Sequence, residues 1–390
     1  MAKKMKKTES QCSQKYGVPI YGASWVPSQA LNLESTSEEE TESTQQPQPT
    51  RPSLLVFCGG GGEGRNGIPN SLLISQFDFA SNALSPNPVV KVGTNDDLPY
   101  RMAVHPGGEG LICSFPKSCR WFEWDDQKST ETPQLGLKSS EKVLTQLEGV
   151  GQQLAMTFNN DGSILAVGGE DGHLRVFKWP NMDIILDESD SHSTVKDLSF
   201  SSDGKLLVSL GSGGPPRVWD VESSKVVASL SKENDEIFGL CRFSQTANNG
   251  QILYITATQG QGGNIVYWDT KSWKRIGSKQ IVRDRITAFN VSSDGELLAF
   301  GTNEGDIVIV KSSNMRVHAM VKKAHLVVVT SMMFSPDSRS LVSASLDSSA
   351  RVTQIEDAQV HNGMSTWVIL FFVLLVILAY FLQTKGAFYP

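Results

Sequence analysis

The chain has 390 residues, 39% of them apolar, with 34 glycines besides, which is the make-up of a folded protein with a real core and not of a disordered chain. A net charge of −6 excludes a broad basic surface for nucleic acid. Five scattered cysteines, none in a Cys-x-x-Cys pair, supply neither a zinc site nor a disulfide framework and fit a reducing compartment.

In chain order, residues 1–14 form a polar, basic N-terminus. It lacks the apolar stretch of about 7–15 residues that a secretory signal needs. The block Pro19-Ile20-Tyr21-Gly22-Ala23 then opens an apolar strand. An insertion over 27–52 follows, with the run SEEETESTQQPQPTRP. It cannot bury enough apolar surface to offset ordering entropy, so a disordered acidic loop is expected there.

Strands are predicted over 54–58 and 71–77, and between them lies an unusual connection. It reads Gly59-Gly60-Gly61-Gly62-Glu63-Gly64-Arg65-Asn66-Gly67-Ile68-Pro69-Asn70, twelve residues with six glycines. Hairpin reversal needs only about two to five residues. Gly62-x-x-x-x-Gly67 imitates half of a phosphate loop. However, Ile68-Pro69 stands where Lys-Ser/Thr must be, so a P-loop nucleotidase is excluded. Glycine-rich backbone can instead turn carbonyl oxygens inward, a donor set suited to a weakly hydrated cation such as K⁺. Ile68 and Asn70 are then the prominent uncharged side chains that such a loop presents. A floppy glycine loop is the alternative reading.

From about residue 100 to 355 one pattern recurs six times: an apolar strand, a polar turn, a second apolar strand and a third. The turn residues Asp161, Asp203, Asn249, Asp294 and Asp337 lie 42 to 46 residues apart, the spacing of WD-repeat propeller blades. Trp219-Asp220 and Trp268-Asp269 are literal Trp-Asp pairs. The N-terminal strands complete a seventh blade. The expected fold is therefore all-β, a seven-bladed WD-repeat propeller over 15–360. The last repeat has three clear strands, and residues near Gln11 to Gly17 are the candidates for the fourth, closing the ring.

No enzyme chemistry is visible. His105, His173, His192, His318, His325 and His361 make no metal or protease spacing, and His192 and His325 stand where WD repeats use His in structural hydrogen bonds. There is no Gly-x-Ser-x-Gly elbow, and nothing marks Cys113 or Cys119 as a nucleophile. Asn290-Val291-Ser292 matches a glycosylation acceptor but falls within a predicted strand.

The run that begins at Trp367 and ends at Leu382 carries no charge, and 13 of its residues are Val, Ile, Leu or Phe. Taken from Met364, it is about 29 Å long as a helix, close to the ~30 Å bilayer core. A transmembrane helix over 364–382 is expected, with the propeller cytosolic and 383–390 on the far side.

The block Gly59-Gly60-Gly61-Gly62-Glu63-Gly64, followed by Asn66-Gly67-Ile68-Pro69-Asn70, resembles the K-loop of the Sec-twelve family. Those are endoplasmic-reticulum membrane exchange factors for Sar, the small GTPase that starts COPII coat assembly. Pro19-Ile20-Tyr21-Gly22-Ala23, Lys323-Ala324-His325 and Ser335-Pro336-Asp337-Ser338 are similar to family features too. The acidic insertion has no part in the family pattern, and the short tail is most similar to plant-type members. The resemblance implies a guanine-nucleotide exchange factor, not an enzyme of covalent chemistry. It implies that Asn70 and Ile68 act on the GTPase. It also implies that K⁺ is bound by the loop through Gly59, Gly60, Gly61, Gly62, Gly64, Gly67 and Asn70, mainly by backbone carbonyls. Sar and the endoplasmic-reticulum membrane are the implied partners. A non-exchanging relative that helps particular cargo, and a membrane-anchored WD scaffold, remain the other readings.

Overall fold

The computed structural model describes residues 12–31, 53–64, 67–127, 134–233, 235–244 and 252–355, and positions 374, 375 and 380. The chain divides into two units, Met1–Ile355 and Glu356–Pro390. The first is a ring of seven antiparallel sheets. A short strand, β1 (Ser13–Lys15), precedes the first blade. That blade holds β2 (Ile20–Trp25), β3 (Ser53–Gly59) and β4 (Ser71–Asp78), with β5 (Ala83–Leu84) and β6 (Val90–Gly93) both pairing with β4. The second blade holds β7 (Arg101–Val104), β8 (Gly110–Ser114), β9 (Cys119–Gln127) and β10 (Gln134–Ser139). The third comprises β11–β14 (Gln153–Phe158, Ile164–Gly169, Leu174–Lys178, Asp183–Glu188) and the fourth β15–β18 (Thr194–Phe200, Leu206–Ser212, Arg217–Asp220, Lys225–Ser229). The fifth comprises β19–β22 (Ile237–Phe243, Ile252–Gln259, Gly262–Asp269, Arg275–Val282) and the sixth β23–β26 (Ile286–Val291, Leu297–Thr302, Ile307–Lys311, Val317–Val321). The seventh holds β27–β29 (Val329–Phe334, Ser340–Ser345, Ser349–Gln354), and β1 supplies its outer strand.

Ring closure follows the expected route. Ser13, Gln14 and Lys15 pair with Arg351, Ala350 and Ser349. The ladder extends at both ends, Tyr16 N–H donating to Ser348 O at 2.9 Å and Val352 N–H to Cys12 O at 2.9 Å. Both ends of the first unit thus share one sheet, which removes an open edge. Ser13 and Gln14 therefore belong to the propeller, and its regular structure ends at Gln354, inside the expected 15–360.

The core is distributed along the seams between blades. Ile20, Phe57 and Phe77 of the first blade pack with Val342, Ala344 and Val352 of the seventh. Alternating residues of each inner strand serve the two neighbouring seams, so strands in the middle of a blade are buried on both faces. β8 and β28 are buried at every position.

The repeat turns are built as the spacing implies. Asp203 accepts from Ser201 Oγ at 2.6 Å and from Lys205 N–H at 3.1 Å, and Gly204 takes φ +70°. Asp294 with Ser292 and Glu296, and Asp337 with Ser335 and Arg339, repeat it. Asn249 lies outside the described residues. His192 Nε2 meets Ser209 Oγ at 3.0 Å, and the same hydroxyl accepts from Trp219 Nε1 at 2.9 Å. His325 bridges Ser349 Oγ at 2.6 Å and Ser343 Oγ at 2.8 Å. Both histidines are structural, and burial holds each ring neutral with its pKa lowered to about 4. Asn290 Oδ1 accepts from Phe334 N–H at 3.0 Å within the sheet packing.

One expectation at the margins changes. The insertion is not irregular from its start: Ser28–Leu31 form a 3-10 turn, with Ala30 buried against Val56, Leu72 and Phe115. Residues 32–52 lie outside the described residues. Of the apolar run 364–382, Leu374, Leu375 and Tyr380 are helical, and the rest lies outside the described residues. Among the described residues no helix is long and apolar enough to cross a membrane.

Candidate functional site

The glycine-rich connection joins β3 to β4, whose ladder runs from Ser53↔Phe77 to Gly59↔Ser71. Because successive strands alternate in direction, this loop leaves the propeller at the same end as the β1–β2 and β6–β7 connections. Gly59 is thus the last residue of β3 and not part of the loop. A Cβ on it would lie 2.1 Å from Pro19 O.

The loop departs where Gly60 N–H donates to Pro19 O at 3.0 Å. A side chain on Gly60 would collide with Asn70, its Cβ falling 2.1 Å from Oδ1 and 2.6 Å from Cα. Glycine is required there for close approach. At Gly62, Gly64 and Gly67 the reason differs. Their φ values are +84°, +119° and +77°, yet nothing lies within 4 Å of an added Cβ. These positions need the backbone freedom and have space to spare, so the segment stands clear of the blades.

Asn70 organises this segment. Its Oδ1 accepts from Gly62 N–H at 2.9 Å, and its Nδ2 donates to Gly62 O at 3.2 Å and to Asn95 O at 3.1 Å. Both amide hydrogens and one oxygen lone pair are used. The side chain ties the departing limb of the loop to its returning limb. At 4% exposure Asn70 is buried, which corrects the expectation that the loop presents it. The sequence allows Asn70 either to meet the GTPase or to brace the loop, and the structure shows the brace, through a pairing with Gly62 eight residues back. Ile68 is placed as expected, exposed at 38% on the returning limb. Arg65 and Asn66 lie outside the described residues.

The support of Asn70 comes from residues that sequence reasoning missed. Thr94 N–H donates to Asn70 O at 3.0 Å, continuing the β4–β6 ladder by one step. Thr94 heads a turn closed by Asp97 N–H to Thr94 O at 3.2 Å, and Thr94 Oγ1 donates to Asp97 O at 2.7 Å. The Asp97 carboxylate pairs with Arg120, whose guanidinium lies 4.4 Å from the Phe115 ring centre. Gly93-Thr94-Asn95-Asp96 does read as turn chemistry, but nothing local ties it to a loop 25 residues earlier.

The described residues between Gly60 and Asn70 offer backbone carbonyls, the Asn70 amide and the exposed Glu63 carboxylate. Among the described residues, no group of three His, Cys, Asp or Glu is placed to hold a metal ion. The backbone carbonyls of this segment suit a monovalent, weakly hydrated cation better than a divalent one. Asn70 fits as a brace for such a cage, since its amide is already engaged with Gly62. Thiol chemistry is absent from the site. Cys58, Cys113 and Cys119 are buried, and burial pushes the Cys119 thiol up to about 12. A thiol so held is not a nucleophile.

Comparison with known proteins agrees with this architecture. The family model described as the anaphase-promoting complex subunit 4 WD40 domain matches residues 156–255 and 272–374. SEC12-like protein 2 of Arabidopsis thaliana is 50% identical over 358 residues, 91% of this chain and 90% of that protein. SEC12-like protein 1 of the same plant is 31% identical, covering 82% of this chain and 81% of its own. The guanine nucleotide-exchange factor SEC12 of Mus musculus is 25% identical over 73% of this chain and 79% of its own. The chain belongs to the SEC12-like family of WD40-repeat proteins.

Proposed function

We propose that this protein is a guanine-nucleotide exchange factor for the small GTPase Sar, acting at the endoplasmic-reticulum membrane to start COPII vesicle formation. The observation that carries this reading is the internally braced loop that exposes Ile68 clear of the propeller. Relatives named guanine nucleotide-exchange factor SEC12 support it.

Exchange requires no covalent step. The protein binds the nucleotide-free GTPase better than the loaded one, and by linkage it weakens nucleotide binding by the same factor. Each ~1.4 kcal/mol of that coupling is tenfold in affinity. Ordering a free loop on binding would cost about 1–2 kcal/mol per residue. Asn70 removes much of that cost beforehand by fixing Gly62 to the strand end. Ile68 then inserts into the partner, where its burial is worth about 1.5–3 kcal/mol. Displaced switch segments release phosphate and Mg²⁺ contacts, nucleotide leaves, and GTP refills the site.

Potassium, when bound by the carbonyls of the Gly60–Gly67 segment, would supply the positive charge that holds those oxygens together. The apolar run 364–382 is the proposed membrane anchor, with the propeller on the cytosolic side. Its length and lack of charge support this.

The test is nucleotide release from purified Sar GTPase, with the full chain reconstituted in liposomes. Release should accelerate with protein concentration, and should slow when Na⁺ or Li⁺ replaces K⁺ at constant ionic strength. Equal rates in the three salts remove the ion from the mechanism. No acceleration in any salt removes the exchange reading itself.

A further inference from the structure

We propose that the turn from Thr94 to Asp97, clamped by Arg120, is a positioning element for exchange, with Asn95 its decisive residue; this rests on the exchange reading above. Three observations carry it. Asn95 takes φ +56°, a left-handed conformation that Asn tolerates and β-branched residues do not. In that conformation its carbonyl meets Asn70 Nδ2 at 3.1 Å, filling the donor that Gly62 leaves over. The turn is itself held, by Thr94 to Asp97 hydrogen bonds and by the Asp97–Arg120 ion pair over Phe115.

The chain of positioning runs in one direction. Arg120, on β9 of the second blade, fixes Asp97. Asp97 fixes the turn, Asn95 O orients the Asn70 amide, and Asn70 orients Gly62. Gly62 engages both ends of the Asn70 amide, but Gly62 is itself part of the loop, so that pairing alone does not tie the amide to the blades. Asn95 O takes the remaining amide hydrogen and so fixes the paired amide and Gly62 relative to the turn after β6. The second blade thereby sets the geometry of a loop that belongs to the first. Neither Asn95 nor Arg120 needs to touch the GTPase.

Nucleotide release by full-length Asn95→Val and Asn95→Gly tests this. Asn95→Val should lower the maximal release rate about fivefold, with little change in the GTPase concentration for half-maximal effect, since the docking surface is intact. Asn95→Gly, which retains the left-handed backbone, should keep at least about half of the wild-type rate. Arg120→Gln should cost about two- to threefold and carries the test if Asn95→Val melts far below wild type. In an Asn70→Ala background each loss should vanish, because the effect passes through that one amide. Losses that multiply with Asn70→Ala, or Asn95→Val at the wild-type rate, would overturn the proposal. Should wild type release no nucleotide, the exchange reading falls, and amide hydrogen exchange at Gly62 still decides the brace. Asn95→Val should strip that amide of protection, and unchanged protection would refute the positioning role.

Discussion

The repeat turns and the glycine-rich loop use the same vocabulary to opposite ends. At Ser201–Leu206 an Asp, a Gly at positive φ and a serine hydroxyl close a reversal within six residues by local bonds, and Asn160 of the neighbouring blade's turn adds one from Nδ2 to Ser202 O. Between Gly60 and Asn70, glycines at positive φ keep the chain clear of the blades, and its closure depends on Asn70 and a turn 25 residues further on. The turns are anchored many times around the ring, so they stabilise the fold. Among the described residues the loop is closed through one side chain, Asn70, beyond the Gly60 to Pro19 bond at its root, so disabling it should leave the propeller intact.

The largest expected effect exploits that dependence on Asn70. Asn70→Ala removes three hydrogen bonds, each worth about 1 kcal/mol net, and should cut exchange about tenfold or more. Stopped-flow nucleotide release measures the loss, and thermal melting should move little. Melting that collapses with Asn70→Ala would mean that the loop supports the ring after all.

The converse experiment strikes a turn. Gly162 holds φ +78°, and a Cβ there would sit 2.3 Å from His105 Nε2, whose ring packs edge-on to Phe158 at 5.0 Å. Gly162→Ala should destabilise the propeller by about 1–3 kcal/mol, read by denaturant titration. Exchange per folded molecule should stay at the wild-type level.

Acid separates the regions more gently. His192 and His325 are buried in the ring with pKa lowered to about 4, while in the unfolded chain each takes its proton near 6.5. Between those values the unfolded state binds more protons, so stability is full above pH 6.5 and is lost as pH falls toward 4. Melting followed across that window should show the decline. In His325→Gln the slope should be shallower, with lower stability at neutral pH. The smallest effect is a control in the acidic insertion, where Glu38→Ala should alter neither melting nor exchange.

The fold was legible because repetition is a sequence-level signal. Asp161, Asp203, Asp294 and Asp337 all hold the turns their spacing implies, and the final strand was correctly sought near Gln11 to Gly17. Ile68 was legible as an apolar residue with no blade to enter. The burial of Asn70 was not, since an amide on a glycine-rich segment reads as exposed until its partners are known. Asn95 and Arg120 were missed for a related reason: their significance lies in pairing between separate loops, which no local pattern encodes. Ala30 escaped because the acidic run after it dominated the composition of the whole insertion.

The central claim is that a pre-formed loop drives exchange through Ile68, and one substitution addresses it directly. Ile68→Ala removes the exposed apolar group and leaves the Asn70 brace in place. Nucleotide release from Sar GTPase by the full chain should fall about tenfold or more, with the melting temperature unchanged. Release at the wild-type rate would contradict the account and favour a membrane-anchored scaffold whose loop is dispensable.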